Sequence, residues 1–366
     1  MKLYRTGAFA GIALASLLAV SACGSDNVDS ASSDSSGGSS KNPNCAEGQI
    51  SASGSSAQKT AMNAWTTAYA KDCGAQINYA ATGSGAGVTD FNSGKVAFAG
   101  SDSSLKDDEQ TAGDTRCKTG KAINIPGIAT AVAIVFNVNG VDKLALDPST
   151  ISKIFQGQIT KWNDPAIAKT NSGATLPATA ISVVFRSKDS GTTDNFTKFL
   201  DAQTPETWKL GTGKGWKGKT GTGAPDSAGV VSAVTGKDGS IAYVDAPDAK
   251  KNNLKSAGID TGNGAVEISD DTVGKAIAAA EQDFDGNNLK LKLNYGLKEA
   301  GAYPAVLVTY EITCEKGLTS DQVALTKGFL GYVLSDAGQT AAADAGYSKL
   351  PAELLTKAQA AAAAIA

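Results

Sequence analysis

From Gly48 onward the chain alternates short apolar runs with amphipathic stretches, and this rhythm constrains the fold more than any other feature. It demands sequential strand and helix units, the pattern of an α/β protein. "QISAS" reads as a strand that passes through Gly54, Ser55 and Ser56 into "AQKTAMNAWTTAYAKD", where Ala61, Trp65, Ala68 and Tyr69 recur at helical spacing. "QINYAA", the turn "TGSGAG" and a short helix "VTDFNSG" ending at Gly94 repeat the logic. A third strand, "KVAFAGS", stops at Asp102, which is placed to cap a helix in "SSLKDDEQTAG".

The apolar run "AINIPGIATAVAIVFNV" suits a buried strand crossing between domains. "DPSTISKIFQ" starts like a helix that Gly157 ends, and "AISVVFRSKDSGTTDNFTKFL" is again strand, polar turn and helix. Beyond Pro205 a Gly, Lys and Thr-rich stretch to Gly223 reads as surface loop. "GSIAYVD" and "YPAVLVTYEIT" read as late strands, "LTSDQVALTKGFLGYVLS" as an amphipathic helix, and "AQAAAAAIA" as a helical tail.

Residues 1–22 read as an export signal, with Lys2 and Arg5 ahead of an apolar run too short for a stable membrane span. The run ends in "VSAC", which resembles a bacterial lipobox and implies cleavage before a lipidated Cys23, the membrane anchor of a palmitate-bearing lipoprotein. Residues 23–44 are a Ser/Gly/Asp-rich, solvated tether. Four of the five cysteines then remain, Cys45, Cys73, Cys117 and Cys314, an even number that favours two disulfides in an exported chain. Three pairings are open. Cys45 with Cys73 and Cys117 with Cys314 is preferred, since the first pair brackets one strand and helix and the second ties distant segments.

The folded part, about 320 residues, exceeds the usual single core, so two domains are expected. The formal charge of −3 becomes −5 once Lys2 and Arg5 are removed, and no long basic run occurs, which argues against nucleic acid. The chain has no histidine, which excludes a Ser-His-Asp or Cys-His catalytic group. With the cysteines oxidised it also lacks the usual transition-metal ligands, so neither a metal nor a cofactor is expected.

Three junctions share one design, in which a strand delivers Ser, Thr and Gly residues that open a helix: Gly54 to Ser56, Thr82 to Gly85, and Asp189 to Thr192. Backbone N–H groups at a helix N-terminus, with hydroxyls beside them, make an anion site, although capping alone also explains any one junction. Arg186 ends an apolar strand four residues before Ser190, within reach of the same anion. Asp102 reads either as a helix cap or as a carboxylate that accepts a hydrogen bond from a protonated oxyanion and repels one with no proton to give.

Two nucleotide-like signals fail. "GKGWKGKT", Gly213 to Thr220, satisfies the P-loop letters but lacks the strand before and helix after that the motif requires. "ATGSGAGVTDF" spaces Gly83, Gly85 and Gly87 as G-x-G-x-G, which points away from a dinucleotide and toward a free oxyanion.

"SASGSSAQ", "TGSGAGVTDF", "FAGSDSSL", "IFQGQITKWNDPAI" and "FRSKDSGTTDNF", in this order, resemble the phosphate-binding protein of the high-affinity phosphate ABC importer in its lipoprotein form. The resemblance implies a two-lobe, hinged periplasmic-binding-protein fold of the Venus-flytrap type, with mixed central sheets. Lobe one would comprise 45–130 and 300–366, and lobe two 131–299. It implies inorganic phosphate held by Ser56, Ala57, Ser84, Asp102, Arg186, Ser190, Gly191 and Thr192, without chemistry. The expected partners are a membrane permease and, through the lipid, the outer face of the cytoplasmic membrane, with the receptor itself a monomer. Two departures stand out: Ala57 replaces a larger apolar residue, and Lys188 followed by Asp189 replaces the family's Asp two residues after the arginine. The rival readings are an extracellular phosphate-ester hydrolase, a sulfate-type oxyanion receptor, and a surface adhesion or signalling protein on the same fold.

Overall fold

The computed structural model describes residues 44–366. The export signal, Cys23 and the tether up to residue 43 lie outside the described residues.

β1 (Gln49–Gly54) leads into α1 (Lys59–Cys73), β2 (Gln76–Ala80) into α2 (Ser84–Asn92), and β3 (Phe98–Ser101) toward α3 (Asp107–Cys117). The long β4 (Ala122–Asn137) follows, then β5 (Ala145–Leu146), α4 (Pro148–Phe155) and α5 (Pro165–Thr170). β6 (Ser182–Arg186) opens into α6 (Gly191–Gln203), and β7 (Thr222–Ala224) into α7 (Ser227–Thr235). β8 (Ser240–Asp245) runs into α8 (Ala246–Lys251), followed by β9 (Lys255–Ser256), β10 (Gly258–Asp260), β11 (Ala265–Val266) and α9 (Asp270–Ala278). The hairpin β12 (Glu281–Asp285) and β13 (Asn288–Lys292) precedes β14 (Val306–Cys314), and α10 (Ser320–Val333), α11 (Asp336–Asp344) and α12 (Ala352–Ala363) end the chain.

The main sheet runs β2-β1-β3-β14-β4-β8-β6-β7, with β9 also paired to β4. β1 is parallel to β2 and β3, and β6 is parallel to β7 and β8, whereas β14 and β4 are antiparallel to their neighbours. The sheet is therefore mixed, with a parallel part at each side of an antiparallel middle. β4 joins them: Ala122 to Ala131 pair with β14, and Val132 to Asn137 pair with β8. Its residues are buried from Ala122 to Phe136, which is why the segment reads as one unbroken apolar run rather than an alternating one. The hairpin β12–β13, inside the 131–299 segment, bonds to the other side of that switch: Asn124 N–H donates to Asn288 Oδ1 (3.0 Å) and Lys290 to the Leu105 carbonyl (3.0 Å).

Cys45 is joined to Cys73 and Cys117 to Cys314. α4 starts as expected, with Asp147 accepting from the Thr150 N–H and Pro148 at the first position. Two local expectations change. Asp102 caps no helix, because α3 starts at Asp107 with Lys106 as its N-cap. The stretch after Pro205 is more than surface loop: Trp208 and Lys214 are buried and Trp216 stacks on Phe185 at 5.4 Å. The alanine-rich end is helical as expected, within α12, and it packs on the core through Ala358, Ala361 and Ile365. Gly213 to Thr220 form neither helix nor strand and run into β7, so the P-loop context is lacking. Among the described residues no helix is long and apolar enough to cross a membrane.

Candidate anion-binding site

The three Ser/Gly junctions meet. Ser56 and Ala57 follow β1 and precede α1, Ser84 is the first residue of α2, Asp102 follows β3, and Arg186 ends β6 just before Ser190, Gly191 and Thr192 open α6. All eight are buried. β1, β2 and β3 are parallel and end at one edge, which sets the starts of α1 and α2 beside Asp102. β6 belongs to the other parallel part and runs opposite to them, and it brings the start of α6 up against Asp102 and Ser84, where a Cβ on Gly191 would lie 2.6 and 2.8 Å from them.

Asp102 is the node. Ser84 Oγ donates to its Oδ2 at 3.3 Å, Thr192 Oγ1 to the same oxygen at 3.4 Å, and Thr309 Oγ1 to its Oδ1 at 3.0 Å. Its N–H donates to Ser84 Oγ (3.3 Å), and its carbonyl accepts from Asn195 Nδ2 (2.7 Å). Burial pushes its carboxyl up, against the hydroxyls of Ser55 and Thr309 and the charge of Arg186, which hold it down.

Arg186 is only 2 % exposed, yet no carboxylate lies within ion-pair distance of it among the described residues. Its Nε has no partner, and its Nη2 reaches only the Pro225 carbonyl at 3.4 Å. Burial lowers its basicity, with Asp102, Asp245 and Asp226 as the carboxylates that act against this from a distance. Asp189 is not among them. Its carbonyl instead accepts from the Gly85 N–H at 3.3 Å, which binds the start of α2 to the segment before α6. The departure at Lys188 and Asp189 thus leaves the guanidinium without a paired carboxylate.

Other donors are engaged locally. Ala57 N–H donates to Ser55 Oγ and Thr192 N–H to Ser190 Oγ, both at about the length of a normal bond (3.0 and 3.1 Å). Ser56 Oγ lies 3.0 Å from Ser227 Oγ and accepts from the Ser227 N–H at 3.2 Å. Gly83 is needed where it stands: φ is +106°, and a Cβ would lie 2.9 Å from the Asp189 carbonyl and 3.7 Å from Arg186 Nη2.

Sequence reasoning missed Ser227 and Thr309. Ser227 opens α7 behind the N-cap Asp226, a fourth strand, polar turn and helix junction, hidden in the sequence because the glycines and the proline of "GTGAPDSAG" look like helix breakers. Thr309 lies inside an apolar strand, where threonine looks like an ordinary β-branched residue.

Residues 39–337 match the PBP superfamily domain. The chain is 41 % identical to the phosphate-binding protein PstS 3 of Mycobacterium leprae over the full length of both, and 40 % identical to PstS 3 of Mycobacterium tuberculosis, again over both whole chains. Among solved structures, the phosphate-binding protein from Stenotrophomonas maltophilia superposes with a TM-score of 0.64 at 22 % identity, covering 85 % of this chain and 93 % of that one. That likeness places the present fold among the two-lobe binding proteins.

Proposed function

The chain belongs to the PBP superfamily and, within it, to the phosphate-binding proteins of the PstS type, and from this premise we propose that it is an extracytoplasmic receptor that binds inorganic phosphate and presents it to the permease of an ABC importer. The observation that carries the reading is Arg186, a buried guanidinium with an unpartnered Nε and no carboxylate beside it, next to a node of hydroxyls and helix N-termini. A buried cation without a counter-ion is costly, and an oxyanion offsets that cost through short charge-assisted bonds.

In this reading Ser56, Ala57, Ser84, Ser190, Gly191 and Thr192 replace the hydration shell of phosphate, Arg186 balances its charge, and Ser227 adds a donor from α7. The hydroxyls rotate from their local partners onto the ligand. Asp102 accepts a hydrogen bond from a protonated phosphate oxygen. Sulfate at neutral pH brings no proton and meets a like charge instead, which costs several kcal/mol.

The lobes of this proposal are residues 45–130 with 300–366 and residues 131–299, hinged where β4 exchanges β14 for β8, except that the β12–β13 hairpin leaves the second range and joins the first lobe. Closure brings α6 and α7 against Asp102 and Ser56. Cleavage before Cys23 and acylation there hold this monomeric receptor at the outer face of the membrane, on the 23–44 tether. We assign it no chemical step, because the chain has no histidine to act as base and its site hydroxyls are arranged as donors. Isothermal titration of the purified protein tests the reading: phosphate gives saturable one-site binding and sulfate none. Equal binding of sulfate, or turnover of a model phosphate ester, overturns it.

A further inference from the structure

We propose that Glu311 is a proton-bearing positioning residue for the first anion loop: as the neutral acid it donates to Gln58 and steadies Ser56 and Ala57, and its ionisation weakens anion binding. This rests on the phosphate reading above and adds to it a group that touches no ligand.

Glu311 sits in the middle of β14, a strand whose nine residues are all buried. It is 1 % exposed, and neither carboxyl oxygen has a hydrogen-bond partner. Gln58, fully buried and the N-cap of α1, has the same defect at its Oε1. The two lie together: Glu311 faces Gly100 across the β3–β14 pair, and the Gln58 carboxamide lies over Gly100 so closely that a Cβ there would meet Nε2 at 1.8 Å. The orientation of the carboxamide is fixed from its other end. Tyr79 OH gives its proton to the Ser55 carbonyl (2.8 Å) and accepts from Gln58 Nε2 (3.0 Å), so Oε1 must look elsewhere for a donor.

Buried acceptors without donors are rare and costly. Here a single proton on Glu311 supplies the missing donor. No cation is among the groups that face Glu311. From α1 it meets neutral Gln58, whose side chain holds the carboxyl down, from β2 the phenol of Tyr79, and beyond β3 the carboxyl of Asp102, which raises it. From β4 it meets no charge: Ile125 is its partner in register, and a Cβ on Gly127 would lie 3.4 Å from Glu311 Oε1. Burial is the larger cause, and the carboxyl is pushed up to about 8.

The link to the site is short. Gln58 is the residue after Ala57, and the Ser55 carbonyl that Tyr79 anchors belongs to the same loop. On β14, Thr309 lies two residues from Glu311 on the same face and donates to Asp102. Ionised Glu311 therefore loses its bond to the loop and places a second negative charge behind Asp102, against the incoming anion.

The test is isothermal titration of the purified protein with inorganic phosphate from pH 6.5 to 9.5, in buffers of different ionisation enthalpy, for wild type, Glu311→Gln and Gln58→Leu. After correction for the ionisation of phosphate itself, wild-type affinity falls at least about fivefold between pH 7 and 9.5, with proton uptake on binding near pH 8. The ratio of affinities at the two pH values moves toward one in both variants. Superimposable pH profiles for wild type and Glu311→Gln overturn the inference while leaving the phosphate reading standing. Absence of phosphate binding at every pH overturns that reading itself. Should a variant fold poorly, the infrared band of a protonated carboxyl at pH 6.5 in wild type, bleached on titration to pH 9.5, decides the same point, and its absence counts against Glu311.

Discussion

Thr192 donates its hydroxyl to Asp102 at 3.4 Å, and the residue before it, Gly191, has room for no side chain: a Cβ there would lie 2.6 Å from Asp102 Cβ and 2.8 Å from Ser84 Oγ. The start of α6 and the end of β3 thus approach as closely as backbone allows. Replacing Gly191 with Ala forces them apart by an ångström or so, which opens the arrangement that buries the anion. Phosphate affinity should fall about 100-fold, as for other small misplacements of binding groups. The resting protein should keep its melting temperature to within a few degrees, since the strain is relieved by opening. Titration calorimetry with a thermal melt of the apo protein checks both.

Asp102 accepts three hydroxyl bonds, yet burial raises rather than lowers its tendency to hold a proton. Asp102→Asn keeps the shape and removes the charge. The expected result is phosphate bound roughly 10- to 100-fold more weakly, because a charge-assisted bond worth about 1.5–3 kcal/mol becomes a neutral one. Sulfate binding should rise in the same variant, as the like charge is gone. An unchanged phosphate over sulfate ratio contradicts the role given to Asp102.

For Arg186 the two observables move in opposite directions. Arg186→Met removes a buried cation that no carboxylate neutralises, so the apo protein should gain about 1–4 kcal/mol in denaturant unfolding. The same variant should lose more than about 2–5 kcal/mol of phosphate binding. A loss of both stability and binding would mean that the guanidinium is satisfied inside the protein, and that it is not held ready for an anion.

Much of this site was legible because the chemistry sits in junctions. Ser56, Ser84, Arg186 and Ser190 each stand where a strand ends and polar small residues begin, and each of the two parallel parts of the sheet gathers such points at its own edge. Asp102 was legible only by its position after a strand, and its capping role disappears because the helix starts five residues later. What was illegible depends on packing across the sheet. Nothing near Thr309 or Glu311 in sequence tells that β14 lies between β3 and β4, with one face toward Asp102 and Gln58. The loop after Pro205 failed for the same reason, since its polarity reads as solvent exposure while Trp208 and Trp216 pin it over Phe155 and Phe185.

The Cys117–Cys314 bond closes 197 residues and ties the end of α3 to the end of β14. A double Cys117→Ser, Cys314→Ser variant should lose about 2–5 kcal/mol of stability, read as a shift in urea midpoint. Cys314 lies five residues beyond Thr309 on an extended strand, roughly 17 Å from it, so phosphate affinity should change little. A large affinity loss without a stability loss would mean that the disulfide sets the site rather than the fold.

Stability itself should carry the signature of Glu311. Its carboxyl is ordinarily near 4.5 and is pushed up to about 8 by burial and by Asp102. The folded state therefore binds more protons than the unfolded state between these values. By linkage its stabilising effect is complete below about pH 4.5, declines as pH rises, and is lost by about pH 8. The decline summed over that window is of order 3–5 kcal/mol. Asp102 and Asp245, both raised by burial, act with the same sign, so Glu311 is separated by difference. Urea unfolding of wild type and Glu311→Gln between pH 5 and 8.5, without phosphate, should show the wild type losing stability relative to the variant, mostly above pH 6. Parallel curves would mean that Glu311 is ionised throughout, with its buried charge met by a donor that the fold supplies in some other way.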